Sequence, residues 1–207
     1  MIYHLKEIFE SLQGEGRNMG RPAVFVRFSS CNLNCKWCDT KYEERMELSE
    51  DELLARIRET GKKSVILTGG EPTIQMGFDQ LVVLLKNAGY WVALETNGVQ
   101  APLHPEMLDY IAVSPKSDFI SRYRPNMMLK KANEVRIVAV TDDIAPFCRK
   151  MRNEISATDY YISPLFSDGR AHYRRALKVL HILNHSDPVP FPPWSLSIQM
   201  HKVVGIR

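Results

Sequence analysis

The 207-residue chain lacks the long apolar run that a membrane span needs, since stretches such as residues 81–85 (LVVLL) are far too short. Residues 1–9 carry no basic segment followed by an apolar stretch, so no secretory signal is expected there. Cysteine is scarce: three of the four are clustered and Cys148 stands apart, which is not a disulfide framework. Reduced thiols fit a reducing compartment, and a cytoplasmic location is expected. Charge is nearly balanced at +3, too little and too evenly spread for a nucleic-acid surface. Pairs such as Lys130-Lys131 and Arg174-Arg175 read as solvated faces. There is no internal repeat and no low-complexity tract. At 44% hydrophobic residues the composition is that of a globular protein, and one domain over 1–207 is expected.

The feature that stands out is CNLNCKWCDT, residues 31–40, with Cys31, Cys35 and Cys38 at a CxxxCxxC spacing. A closed zinc site takes four protein ligands, usually as two CxxC-type pairs, and no second pair follows. His104, His172 and His201 lie far off with no finger-like spacing. Iron–sulfur clusters take thiolates, and one held by three has an open coordination position. The alternatives at this stage are a zinc knuckle, an inert cluster, or a cluster that does chemistry.

Strand and helix signals alternate along the chain. Residues 23–28 read as a strand buried on both faces, interrupted by Arg27, whose guanidinium needs either a structural or a ligand carboxylate. Ser49 and Glu52 form a capping box for a helix over 49–60, stapled by Leu48 and Leu53 and ended by Gly61. A strand at 64–68 runs into Gly69-Gly70-Glu71-Pro72, and backbone at such a strand end is free to meet a ligand. A helix over about 78–88 carries Phe78, Leu81, Val82 and Leu85 on one face. Further strands are expected at 91–95, 110–113, 134–140 and 160–163. A helix should begin at Asp142 or Asp143, and another over 171–184 should turn Ala176, Leu177, Leu180 and Leu183 inward. Glu95 ends a strand and is either a cap or a ligand contact. Residues 194–201 alternate as a closing strand would, with His201 a hydrogen-bonded histidine or a base. Alternation of this kind predicts a parallel sheet with outer helices.

The three-cysteine loop with an aromatic (Trp37) before its last cysteine resembles the cluster loop of the radical S-adenosylmethionine (SAM) enzymes, and GGEP one helix later resembles that superfamily's SAM-binding turn. Phe9-x-Ser-Leu-Gln-Gly-Glu-Gly16, the Ser114-Pro115-Lys116 turn and the closing Gln199-x-His201-Lys202 resemble, in this order, the 7-carboxy-7-deazaguanine synthase family. The resemblance spans nearly the whole chain. It implies an incomplete (β/α)6 barrel of about six parallel strands, and a [4Fe–4S] cluster on the three cysteines with SAM at the open iron. It also implies Mg²⁺ at Thr40, which would otherwise read as a helix cap. SAM would lie against Trp37, Asp39, Gly70, Ser114, Pro115 and Lys116. A pterin substrate would lie against Leu12, Gln13, Gly14, Arg27, Thr68 and the terminal Arg207. The family further implies a homodimer and an electron donor such as flavodoxin, with neither nucleic acid nor membrane as partner. Two departures stand out: Arg207 at a terminus where some members have proline, and Ser163 before Pro164 where members tend to carry glutamine. Without the resemblance, the glycines at 14, 16 and 20 would read as a surface hairpin. A glycyl-radical activating enzyme is the other radical SAM reading, and it would need none of the Leu12–Gly16 loop, Arg27 or the closing motif.

Overall fold

A computed structural model describes residues 1–38, 40, 45–185, 188 and 190–206. In chain order the elements are β1 (Ile2–Leu12), β2 (Pro22–Phe28), β3 (Met46–Ser49), α1 (Glu50–Glu59), β4 (Ser64–Gly69), α2 (Phe78–Asn87), β5 (Trp91–Thr96) and β6 (Tyr110–Val113). They continue with β7 (Lys131–Ala139), α3 (Ala145–Glu154), β8 (Ser156–Pro164), a small hairpin of β9 (Phe166–Ser167) and β10 (Arg170–Ala171), α4 (Tyr173–Asn184), β11 (Trp194–Leu196) and α5 (Met200–Val204).

One sheet has the order β11-β8-β7-β6-β5-β4-β2-β1-β3. From β2 to β11 every neighbouring pair is parallel, while β1 runs antiparallel to both β2 and β3. Among the described residues the sheet does not close, as an incomplete barrel requires. Where about six parallel strands were expected, the described residues form seven, because three residues of the closing segment add β11 beside β8. Two crossovers, β5 to β6 and β6 to β7, carry 3₁₀ turns and no α-helix.

Two apolar clusters account for the alternation in the strands. Val24, Val26 and Phe28 of β2 join the large core between the sheet and its helices. Ala23 and Phe25 turn to the concave face and pack with Ile66 and Ala93, beside Phe9, Trp91 and Tyr110. Phe9 stacks on Phe25 with ring centroids 5.0 Å apart. This inner cluster fills the lower half of the concave face and leaves the C-terminal strand ends open.

The capping box at Ser49 is present, with Ser49 N–H and Oγ both bonding Glu52 Oε2 and Glu52 N–H returning to Ser49 Oγ. Three expectations are corrected. The helix expected from Asp142 or Asp143 begins at Ala145 with Pro146 in its first turn, a position proline favours. Asp142 instead binds Arg175 and Lys178 of α4. On α4, which starts at Tyr173, Ala176, Val179 and Leu183 are buried, whereas Leu177 is half exposed; the helical period carries it off the core face. The closing segment is a strand only over Trp194–Leu196. After the ladder bond from Ser197 N–H to Ile162 O, Met200 N–H is taken by Gly14 O and the chain leaves the sheet for α5. Among the described residues no helix is long and apolar enough to cross a membrane.

Candidate active site

A cavity of about 600 Å³ opens at the C-terminal ends of the parallel strands. This volume suits small-molecule ligands. Cys31, Cys35 and Cys38 line it, as do Trp37, Thr40, Gly70, Ser114 and Lys116 on the same loops and edges. Leu12, Gln13, Gly14, Arg27 and Thr68 line it too. Pro115 does not: it is buried between Ser114 and Lys116, and successive residues of extended chain point to opposite sides. Asp39 and Arg207 lie outside the described residues.

The cysteine loop is fixed at its base by the GGEP turn. Gly70 N–H donates to Phe28 O at 3.0 Å and Glu71 N–H to Ser30 O at 2.8 Å. A Cβ on Gly70 would come within 2.0 Å of Ser30 O, so only glycine lets these backbones meet. Glu71 is fully buried and accepts from Thr73 N–H and Oγ, Thr96 Oγ and Asn97 N–H, which locks the turn to the end of β5. Asn97 Nδ2 also donates to Asn32 inside the cysteine loop, at 2.8 Å. Lys116 Nζ donates to Ser114 Oγ at 2.8 Å and sits 5.1 Å from the Trp37 ring centroid. Burial pulls the Lys116 ammonium down, opposed by the negative charge of a Cys35 thiolate and the Glu15 carboxylate.

The residues present fit an iron–sulfur cluster. Three thiols reach one cavity, and Leu33 N–H donates to Cys31 Sγ at 3.4 Å, the kind of bond that tunes cluster sulfurs. Burial pushes the Cys31 and Cys35 thiols up, so the loop alone does not favour three thiolates and metal must draw the protons off. Among the described residues no three Cys, His, Asp or Glu side chains are grouped around a single metal-ion position. Trp37 Nε1, Ser163 Oγ and Gln199 Oε1 are buried atoms of cavity residues with no partner among the described residues, as expected where a ligand supplies hydrogen bonds.

The opposite wall is a charge network. Arg136, buried on β7, donates to Glu95 Oε1 at 2.7 Å and Glu15 Oε2 at 3.0 Å. Its Nε lies 2.9 Å from Glu134 Oε1, close enough for an ion pair although the N–H is not aimed at the oxygen. Glu95 further accepts from Gln13 Nε2 and Thr68 Oγ1, each at 3.0 Å. Burial works to raise the Glu95 carboxyl, but the Arg136 charge and these donors outweigh it and hold the value at about 2. Glu15 Oε1 accepts from Gln199 Nε2 at 2.8 Å, and the His201 ring packs against Gly14, where a Cβ would meet Nδ1 at 2.0 Å. Arg27 Nε donates to Glu7 at 2.8 Å, so a structural carboxylate meets it on one side while the side chain still lines the cavity.

Arg136, Glu134 and Glu15 were not singled out from sequence. The signal was available for the first two: two charges two residues apart in an apolar strand, the same anomaly that marked Arg27.

A cysteine-lined cavity at the carboxyl edge of an open parallel sheet, stitched to a GGEP turn, defines an enzyme that holds an iron–sulfur cluster beside a small-molecule cofactor. The Radical SAM superfamily model matches residues 25–146. A 7-carboxy-7-deazaguanine synthase of Haemophilus influenzae is 43% identical, covering 99% of this chain and 94% of the relative. One from Neisseria meningitidis is 45% identical over the same shares. A third, from Bacteroides thetaiotaomicron, is 36% identical over the full length of both. In fold the chain is similar to the crystal structure of QueE from Escherichia coli, with a TM-score of 0.70 at 24% identity, covering 97% of this chain and 95% of that one. The chain belongs to the radical SAM superfamily and, within it, to the 7-carboxy-7-deazaguanine synthase family.

Proposed function

We infer that this chain, as one domain over 1–207, converts 6-carboxy-5,6,7,8-tetrahydropterin to 7-carboxy-7-deazaguanine with loss of ammonia. The observation that carries the reading is that the three cysteines and the Leu12-Gln13-Gly14 segment open onto one cavity. A [4Fe–4S] cluster held by Cys31, Cys35 and Cys38 would supply the one-electron reduction of SAM that makes hydrogen removal from C6 of the pterin possible.

The chain's own residues supply placement. Cys31, Cys35 and Cys38 would hold the cluster, and Trp37, Gly70, Ser114 and Lys116 would border SAM, with Asp39 of the same loop. Gln13 and Thr68 are aimed by their bonds to Glu95, so their remaining polar atoms are fixed before the pterin arrives. Arg27, neutralised on one side by Glu7, would offer the rest of its guanidinium to the pterin carboxylate. Thr40, which lines the cavity beside Cys38, would present its hydroxyl to Mg²⁺; such an ion keeps several waters and borrows ligand oxygens. The reading includes a homodimer that covers exposed sheet edges, an electron donor such as flavodoxin and a cytoplasmic setting.

The test is anaerobic reconstitution with iron and sulfide, then dithionite, SAM, Mg²⁺ and the carboxytetrahydropterin, with products separated by mass. The deazapurine is expected. SAM cleavage with the pterin unchanged would overturn the substrate assignment.

A further inference from the structure

The segment from Gln13 to Arg17 leaves β1 and crosses the concave face, and its anchors on the far side converge on β7. Glu134, on the inner face of that strand, is 2% exposed and lies outside the cavity lining. Its Oε2 accepts from the backbone N–H of Arg17 at 2.9 Å and from Tyr110 Oη at 2.8 Å. Gly16 lies flat on the same carboxylate: a Cβ there would stand 2.2 Å from Oε1 and 2.4 Å from Oε2, and its φ is +63°. Two residues along, Arg136 ties Glu15 directly and Gln13 through Glu95. A buried carboxylate without its donors is costly, so loop and strand must settle together. Two further bonds, Gly16 N–H to Ser197 Oγ at 3.1 Å and Met200 N–H to Gly14 O at 2.9 Å, close the loop from the C-terminal side.

We propose that Glu134, which touches neither cavity nor ligand, is a positioning residue for the pterin: it sets the height at which the Gln13–Gly16 backbone crosses the cavity. The inference rests on the reading that this segment borders a pterin. The cysteine loop is anchored elsewhere, by Gly70, Glu71 and Asn97, so the larger effect of displacing the Gln13–Gly16 segment falls on the pterin side.

The test is steady-state kinetics of reconstituted wild type, Glu134→Gln and Gly16→Ala, with equilibrium pterin binding measured beside turnover. Glu134→Gln puts an amide NH₂ in place of one carboxylate oxygen, facing either the Arg17 N–H and Tyr110 O–H or the Arg136 guanidinium. Gly16→Ala drives a methyl group onto the same carboxylate from the loop side, and carries the test alone should the first variant not fold. Each is expected to raise KM and Kd for the pterin about tenfold or more, with KM for SAM and the cluster absorbance within about twofold of wild type. An unchanged pterin KM, or pterin and SAM KM rising together as for a general loss of structure, overturns the proposal. Wild type that turns over while the variants match it sinks this inference alone. Wild type that neither binds nor converts the pterin sinks the functional reading and this inference with it.

Discussion

The cysteine loop and the Gln13–Arg17 loop line one cavity but are held in different ways. The first is tied at its base, by Gly70, Glu71 and Asn97, and its thiols are left partly accessible for a metal to organise. The second is assembled in advance by charge-assisted bonds that join Gln13 to Glu95, Glu15 to Arg136 and Gln199, and Arg17 to Glu134. The first wall is held by bonds from the turns beside it. The second draws its order from residues up to 184 positions apart in sequence. A site that generates a radical needs both: a replaceable reactive centre and a rigid surface that admits one geometry.

The comparison breaks most sharply at the cysteines. Cys35→Ala should bring iron content and deazapurine formation to background while the thermal midpoint of the metal-free protein stays near wild type. A large loss of stability in that variant would mean that the loop is structural. The second largest effect is expected at Arg136. Arg136→Met leaves three carboxylates around an apolar side chain and should cost about 3–5 kcal/mol in denaturant unfolding. A loss near zero would dissolve the network as described.

A pH series sharpens the same contrast. The Glu95 carboxyl is held at about 2 in the fold against an ordinary 4.5, so the unfolded chain takes up the proton first. Its contribution is therefore complete above about pH 4.5 and is lost as pH falls toward about 2. Glu95→Gln should flatten the fall in stability across that window, and an unchanged slope would contradict the assignment. The smallest effect is expected from Thr68→Val, which removes one donor to Glu95 and should cost about 1 kcal/mol by chemical denaturation.

Much of this was legible before any coordinates. The strand and helix pattern is carried by local periodicity, and the cysteine loop and GGEP turn are contiguous motifs, so both survive reading one window at a time. The capping box at Ser49 survives for the same reason. What was missed is non-local. Nothing near Asp142 announces that Arg175 and Lys178 will claim it, so the start of α3 was placed too early. The closing segment alternates like a strand throughout, yet Gly14 and Glu15 pull its second half away from the sheet. The charged members of the Arg136 network, Glu15, Glu95, Glu134 and Arg136, come from three segments, and only the pair on β7 is marked by its strand.

The most direct measurement uses carboxytetrahydropterin deuterated at C6, incubated anaerobically with the reconstituted protein and SAM. The account predicts deuterium in the 5′-deoxyadenosine alongside 7-carboxy-7-deazaguanine. Unlabelled 5′-deoxyadenosine formed together with the deazapurine would contradict it, because the cavity would then not bring C6 to the radical.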